Sequence, residues 1–546
     1  MLRKARRSPI ALSKLLCATF ILLFYVFYSR LNPPALTIGQ PLPKRPSIQF
    51  EKWRNNTGKA DMERRKRVRE AMEHTFRGYR NKAWGEDDIQ PVSGGAKNSR
   101  NGWGAFIVDS STTLAVMGMW EELNQEITFI VDEIDFRMAN GLVDPFETTI
   151  RYLGAIVSIV ELGDSGIIPN SVLTASKREG ILKKATTLAE GLLRAFEPST
   201  GLSWPRIDFI SGPEIANDPS IGPARAGSNF LELCTLSKLT KDPEYCNKAT
   251  RAWSSLVRNR YVEELPGLVD SRIRIDSGQP IGRDRSWDSG HDSYYEYLIK
   301  ANLLLPHSQN AKVYRDRWLQ AAEAVRHNLT TRSAPSQNHV MSHLYMGKWS
   351  GHWYINEMSH LACFAPGNLL LGGRHLLRSD LVTLGQALLE GCRHVYKSSP
   401  IGLGPEAFSW EPAAGSQNAT FGPVTEQQHK ELQNYGFWVA DPRYKLRPEY
   451  AESLFYAFRI TGEKRYRDWA WDLFNALETH CKTGFGYAGI EDVRVEKSEV
   501  GWIDHTESYW AAETLKYLYL IFESVGTISL DDWIFTTEGH LIKRGR

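Results

Sequence analysis

The chain has 546 residues, 42% hydrophobic and 11% aromatic, enough to bury a large core in one domain or several. Eleven Lys and Arg residues against a single acid, Glu51, put the first sixty residues at +10, so residues 61–546 carry −7 although the whole chain is +3. The basic balance therefore belongs to the N-terminus and gives no argument for nucleic-acid binding.

Residues 1–9 read as a basic tail. Behind them "IALSKLLCATFILLFYVFY", Ile10 to Tyr28, holds one charge, Lys14, close enough to an end to snorkel. Nineteen residues suit a membrane-spanning helix. The bulky aromatic end, without a small-x-small cleavage site, favours an uncleaved anchor over a signal peptide. The preceding positive charge predicts a cytosolic N-terminus and a lumenal remainder, that is, a single-pass type II membrane protein of the endoplasmic reticulum or Golgi. Residues 29–65, with five prolines, read as an extended stem, and 66–546 as the lumenal domain. Acceptor sequons at Asn55, Asn328 and Asn418 agree with that placement.

Beyond the stem, apolar-periodic runs alternate with short Gly- or Asp-containing breaks, the pattern of helical hairpins. "DSYYEYLIKANLLL" precedes "VYRDRWLQAAEAVRHNL", "PGNLLLGGRHLL" precedes "DLVTLGQALLEGCRHVY", and "PEYAESLFYAFRITGEKRYRDWAWDLFNALETHC" holds both halves of a pair. Strand-like pieces such as "HVMSHLYMG" and "GLVDSRIRI" are few and short. Such an array predicts an open solenoid or a closed α/α toroid, and the lack of a fixed-period repeat weighs against the solenoid.

Four helix starts are acidic. "DPFETTIRYLG" places Glu147 one turn before Arg151, "GHDSYYEYLIK" has Asp292 and Glu296, "RPEYAESLFY" has Arg447, Glu449 and Glu452, and "DHTESYW" has Glu507. Any one of them is explained by the helix macrodipole, which favours negative charge at an N-terminus. Four of them, each followed by aromatics, predict carboxylates meeting in one aromatic-walled cavity, the composition of a carbohydrate site. Crowded carboxylates also favour a hard, oxygen-preferring cation such as Ca²⁺. There is no EF-hand loop, so its ligands must come from distant segments. Of six cysteines, Cys17 lies in the anchor, and Cys234, Cys246, Cys363, Cys392 and Cys481 show no C-x-x-C spacing that would indicate zinc or redox chemistry.

The segments "FETTIRYLG", "DSYYEYLIK", "MSHLACFAPG", "LRPEYAESLFYAFRITG", "TESYWAAETLKYLYLIF" and "FTTEGH" are where the chain resembles class I α-1,2-mannosidases, glycoside hydrolase family 47. "IGLGPEAFSW" looks like the fungal branch. The resemblance implies an all-α (α/α)7 barrel with minor β-hairpins. It also implies inverting, Ca²⁺-dependent hydrolysis of terminal α-1,2-linked mannose from high-mannose N-glycans on glycoproteins. By motif, Glu147 matches the general acid, acting through a water. Glu449 matches the base, with Asp292 a third essential carboxylate and a rival for that role. Thr537 matches the direct Ca²⁺ ligand, with Glu507 and Glu538 holding ligand waters. Arg151, Glu296, His360, Arg447, Glu452, Glu507 and, less closely, Glu232 match substrate-pocket positions. Cys363 and Cys392 match the family disulfide, which leaves Cys234, Cys246 and Cys481 unassigned.

Three departures stand out. The family's "VDALDTL" reads "VDSSTTL", with Thr112 for an Asp, and "TEAHP" reads "TEGHL" with Gly539 and Leu541. Gly290 stands where one-mannose trimming enzymes carry an arginine, and so resembles the broader-trimming members. The family resemblance also admits a quality-control factor with weak turnover, and a lectin-like binder that has lost turnover; retention of Glu147, Asp292, Glu449 and Thr537 speaks against the binder.

Overall fold

The computed structural model describes residues 47–545, apart from 56–57, 214–218, 259–260, 416–420 and 497–499. The expected tail and anchor, residues 29–46 of the stem and the Asn418 sequon lie outside these residues. Among the described residues no helix is long and apolar enough to cross a membrane.

Among the described residues, fourteen helices carry the fold: α1 (Met62–Lys82), α2 (Ala105–Met117), α3 (Trp120–Asp132), α4 (Gly154–Asp164), α5 (Ala175–Leu193), α6 (Phe230–Thr240), α7 (Glu244–Val257), α8 (Asp292–Leu304), α9 (Ala311–Ala324), α10 (Ala365–His375), α11 (Ser379–Ser398), α12 (Glu449–Thr461), α13 (Arg465–His480) and α14 (Leu515–Phe522). Two kinds alternate. Helices α2, α8, α12 and α14 are buried almost all round, polar residues such as Asp109–Thr113 of α2 included. Helix α13 buries a single stripe, Tyr466, Ala470, Leu473, Phe474 and Leu477, at the spacing of one helical face.

Each buried helix pairs with the amphipathic one that follows it: α2 with α3, α4 with α5, α6 with α7, α8 with α9, α10 with α11 and α12 with α13. The buried set also packs in a circuit, α2 on α4, then α6, α8, α10, α12, α14 and back to α2. The last buried helix, α14, takes the first outer helix, α1, as its partner. The expected hairpins are thus present.

Small antiparallel sheets cap one end. One has five strands in the order β5 (Trp353–Ile355), β4 (Lys348–Ser350), β3 (Pro280–Arg285), β2 (Ser271–Arg274), β1 (Ser220–Ile221). Another has β6 (Glu357–Ser359), β7 (Ala407–Trp410) and β8 (Phe437–Asp441), with Glu357 opposite Ser409. These strands feed the loops that enter α8, α10 and α12. A C-terminal hairpin, β9 (Trp533–Phe535) and β10 (Leu541–Lys543), is inserted inside the circuit. Its Phe535 packs on Phe455, Tyr456 and Tyr517 of the inner helices.

Residues 47–55 and 58–65, read from the sequence as the end of the stem, belong instead to the folded body. Ile48 is fully buried, its N–H donates to Asp531, and Phe50 N–H donates to the Arg459 carbonyl at 2.9 Å. Asp61 caps α1 by accepting from Arg64 N–H at 3.3 Å. Disulfides join Cys363 to Cys392 and Cys234 to Cys246, and Cys481 is buried and free.

The glycine pair in "NLLLGGRHLL" has a packing reason. A Cβ on Gly372 of α10 would overlap the Trp318 indole of α9, which is buried and donates to Asn368 at 2.8 Å. Gly372→Ala should therefore destabilise the protein by roughly 1–3 kcal/mol through overpacking. Urea unfolding of the variant beside the parent measures that loss.

Candidate active site

A cavity of about 350 Å³ opens at the end of the circuit where the inner helices begin. Its lining includes Glu147, Arg151, Gly290, Asp292, Glu296, Arg447, Glu449, Glu452, Glu513, Thr537 and Glu538, together with Phe146, Phe364 and Tyr509. Three of the four acidic helix starts, those of Glu147, Asp292 and Glu449, therefore converge. Each is a consequence of local sequence. Asp144 accepts from Phe146 N–H at 3.1 Å and Glu147 N–H at 3.3 Å, and Pro145 opens the helix that carries Glu147. A π-helical turn, Thr149–Leu153, then joins this short helix to α4. Asp292 and Glu449 are the first residues of α8 and α12, where exposed N–H groups favour negative charge.

Arg151 is the hub. It is buried, donates from Nε to Glu147 at 2.9 Å and from Nη1 to Ser508 at 3.1 Å and Asp109 at 3.3 Å, and pairs closely with Glu538. Arg100 stands 3.8 Å from Glu147 and 2.8 Å from Glu507. Burial acts to raise the Glu147 carboxyl, but Arg151 and Arg100 outweigh it and hold the group below the usual carboxylate range.

Glu449 is held differently. His360 Nδ1 donates to it at 2.7 Å, and His360 Nε2 is closed off by the Tyr396 hydroxyl. Arg447 forks onto Glu406 at 2.8 and 2.9 Å and stands 3.9 Å from Glu449. Burial opposes ionisation of Glu449, but the His360 hydrogen bond and Arg447 hold it low. Asp292 has no such cation. Burial first, then Asp288, Glu296 and Glu449, push it up to about 7.

The hairpin tip forms the inner wall of the cavity. Thr537 N–H donates to the Tyr297 hydroxyl at 3.1 Å, and that hydroxyl donates to Glu232 at 2.6 Å. Gly539, at φ +68°, turns the tip, and its carbonyl accepts from Lys516 at 2.7 Å. That left-handed conformation suits glycine. Thr112, which replaces an Asp, sits 3.0 Å from His540 Nδ1, and His540 Nε2 is 3.0 Å from Asp109. All three are fully buried, so the substitution reorganises the support of the tip rather than the cavity surface.

Three expected pocket residues stand behind the wall. His360 acts through Glu449, and Glu232, fully buried, acts through Tyr297. Glu507 is a correction to the expected pocket: it is turned toward Arg100 and His505, the latter at 3.2 Å, and does not line the cavity. Glu513, six residues on in the same segment, lines it instead, because the π-helical turn Trp510–Thr514 directs that position inward. Sequence reasoning misses Arg100, Asp109, Glu406 and Glu513. Glu513, Glu406 and Asp109 lie within segments compared with the family, "TESYWAAETLKYLYLIF", "IGLGPEAFSW" and "VDSSTTL"; Arg100 becomes visible only through its partners.

The donor set suits a hard cation. Burial first, then neighbouring carboxylates, pushes Glu452 and Glu513 well above the usual range, and Glu538 is raised by burial despite Arg151. Oxygen donors crowd around Thr537 with no Cys, the chemistry of Ca²⁺ rather than of a soft metal. Among the described residues, no three of these carboxylates bring ligand atoms within 4.8 Å of one another.

Asp292 makes a stability prediction. Its folded value of about 7 lies above the unfolded value of about 3.9. Between those values the folded state binds the extra proton, so ionising Asp292 erodes stability as pH rises from 4 to 7. Asp292→Asn should melt on the order of 1–3 °C above the parent at pH 8, with the gain gone by pH 4. Scanning calorimetry at both pH values reads the difference.

The model of glycosyl hydrolase family 47 matches residues 71–544. The chain is 37% identical over 489 residues to a probable mannosyl-oligosaccharide alpha-1,2-mannosidase 1B of Aspergillus clavatus, covering 87% of this chain and 92% of that one. It is 34% identical over 519 residues to the mannosyl-oligosaccharide alpha-1,2-mannosidase of Penicillium citrinum, covering 93% and 96%. In three dimensions it matches the alpha-1,2-mannosidase from Trichoderma reesei with a TM-score of 0.83 at 32% identity, over 89% of this chain and all of that one. These relatives are fungal, in keeping with the text around residues 401–410. Across almost its whole folded length, the chain belongs to glycosyl hydrolase family 47.

Proposed function

We propose that the protein is an inverting, Ca²⁺-dependent α-1,2-mannosidase with the (α/α)7 barrel of its family, trimming terminal mannose from high-mannose N-glycans in the secretory pathway. The observation that carries this reading is the cavity itself: Glu147, Asp292 and Glu449 meet there with different electrostatic support, beside aromatic faces suited to sugar rings. The fungal relatives named as mannosyl-oligosaccharide alpha-1,2-mannosidases support the substrate class.

Glu449 is the base. It stays ionised, and His360 occupies its Oε2, leaving Oε1 to take the proton of an attacking water. Asp292, pushed up to about 7, is only part-ionised at neutrality and is the rival for that role. Glu147 delivers the leaving-group proton through a water. Arg151 and Arg100 keep it ionised before substrate enters; a sugar that displaces solvent from beside it raises its proton affinity. Arg447 and Arg151 flank the Tyr509 ring at 5.9 Å each and donate to sugar hydroxyls. Thr537, with Glu513 and Glu538 holding waters, would hold Ca²⁺. The ion, when bound, supplies positive charge against the carboxylates and grips sugar hydroxyls.

Gly290, at φ +88°, has open space on the side where a Cβ would stand, with nothing within 4 Å. That space leaves room for glycan branches and supports release of more than one mannose. The segment Ile10–Tyr28 is proposed as the anchor of a type II protein of the endoplasmic reticulum or Golgi, and the two disulfides support an oxidising lumen.

A nine-mannose glycan incubated with the protein should lose several mannoses, and a calcium chelator should stop the release; absence of release with calcium present would defeat the assignment. Glu449→Gln should lower kcat about 10²–10⁴-fold while glycan binding remains measurable by calorimetry. A fully active variant would remove Glu449 from the base role.

A further inference from the structure

Three histidines meet outside the catalytic cavity. His339 and His343, four residues apart in a surface segment, stand against His394 of α11, and their ligand nitrogens all lie within 4.8 Å of one another. His339 Nε2 and His343 Nε2 are 3.1 Å apart, and the His394 ring lies over that of His343 with centroids 4.0 Å apart. Each side chain is half-buried, so the group is both held and reachable from solvent.

The second contacts favour ligation. His394 donates Nε2–H to the Tyr435 carbonyl at 2.8 Å, which leaves Nδ1 with a free lone pair. A backbone carbonyl on the far nitrogen is how proteins orient an imidazole for a metal. Burial, and next the neighbouring imidazoles, bring His343 down to about 4; burial brings His394 to about 4 as well, and lowers His339. Neutral imidazole, the ligand form, therefore prevails at neutral pH. The charged groups facing the trio are Arg332 beside His343 and Lys397 beside His394; among the described residues the cluster contains no carboxylate.

We propose that His339, His343 and His394 form a binding site for a borderline divalent transition-metal ion of the Zn²⁺ class, separate from the acidic cavity. Three nitrogen ligands with water in the fourth position match that class, whereas Ca²⁺ and Mg²⁺ require oxygen. With metal–nitrogen bonds of about 2.0–2.1 Å, tetrahedral ligands stand roughly 3.3 Å apart. The His339–His343 pair already has that spacing. His394, nearly parallel to His343, turns about its soft χ2 torsion to bring Nδ1 into line. Arg332 and Lys397 repel a dication and weaken its binding. Cysteine spacing could not reveal this site, because no cysteine takes part in it.

The test uses the full chain, purified without a histidine tag and kept in calcium. Cu²⁺ serves as the spectroscopic probe and Zn²⁺ as its competitor. One equivalent of Cu²⁺ should show nitrogen hyperfine structure from imidazole in electron paramagnetic resonance; Zn²⁺ in large excess should displace it, and Zn²⁺ alone should raise the Tm. His343→Gln should weaken binding at least about tenfold. His339→Gln, on the surface segment, provides a second variant, and unchanged metal-free Tm certifies its fold. Absence of a nitrogen-bound equivalent, or undiminished binding in a folded variant, overturns the proposal.

Discussion

The buried guanidinium of Arg151 is the interaction on which the catalytic end of the molecule depends. It joins Glu147 at the entry to α4, Asp109 of α2, Ser508 before α14 and Glu538 of the C-terminal hairpin. These four partners lie up to 387 residues from Arg151 in the chain. A buried cation of this kind is tolerable only when its donors are met, and removing a partner leaves an uncompensated charge costing about 3–5 kcal/mol. The hub therefore sets Thr537 and Glu147 in a fixed relation, and the circuit of inner helices has to close around it.

The same electrostatics organises the chemistry. Carboxylates gather because inner helices begin at one end, where their N–H groups favour negative charge. Crowding then separates them by environment: arginines hold Glu147 ionised, His360 and Arg447 hold Glu449 ionised, and Asp292, without a cation, titrates near neutrality. Glu452, Glu513 and Glu538 remain as excess acid around the hairpin tip. Such a cluster is a standing cost to the fold, of the kind accepted where sugars and a cation are to be bound.

Much of this architecture is legible in the amino-acid text. Hairpins such as 449–480 can be read because a buried helix and an amphipathic helix leave different apolar patterns, separated here by a short Gly-containing break. Residues 47–55 and 58–65 mislead because they are polar and follow the proline-rich text of 33–46, while the contacts that order them, Ile48 with Asp531 and Phe50 with Arg459, lie more than 400 residues away in the chain. Glu507 and Glu513 share one segment, and only the π-helical turn that re-aims it distinguishes the residue lining the cavity from the residue paired with Arg100. The Cys234–Cys246 disulfide bridges consecutive helices, α6 and α7, which cysteine counting alone could not select.

By itself the sequence determined the helical class, the acidic helix starts and the family, because periodicity, capping chemistry and ordered motifs are local properties of the chain. Only the tertiary structure decided which carboxylates face the cavity, what holds Glu449 and Glu147 ionised, how Thr112 and Gly539 are accommodated, and that His339, His343 and His394 meet. The reason is physical: each of these depends on the distance between groups far apart in sequence, and electrostatic support, burial and ligand geometry are properties of that distance.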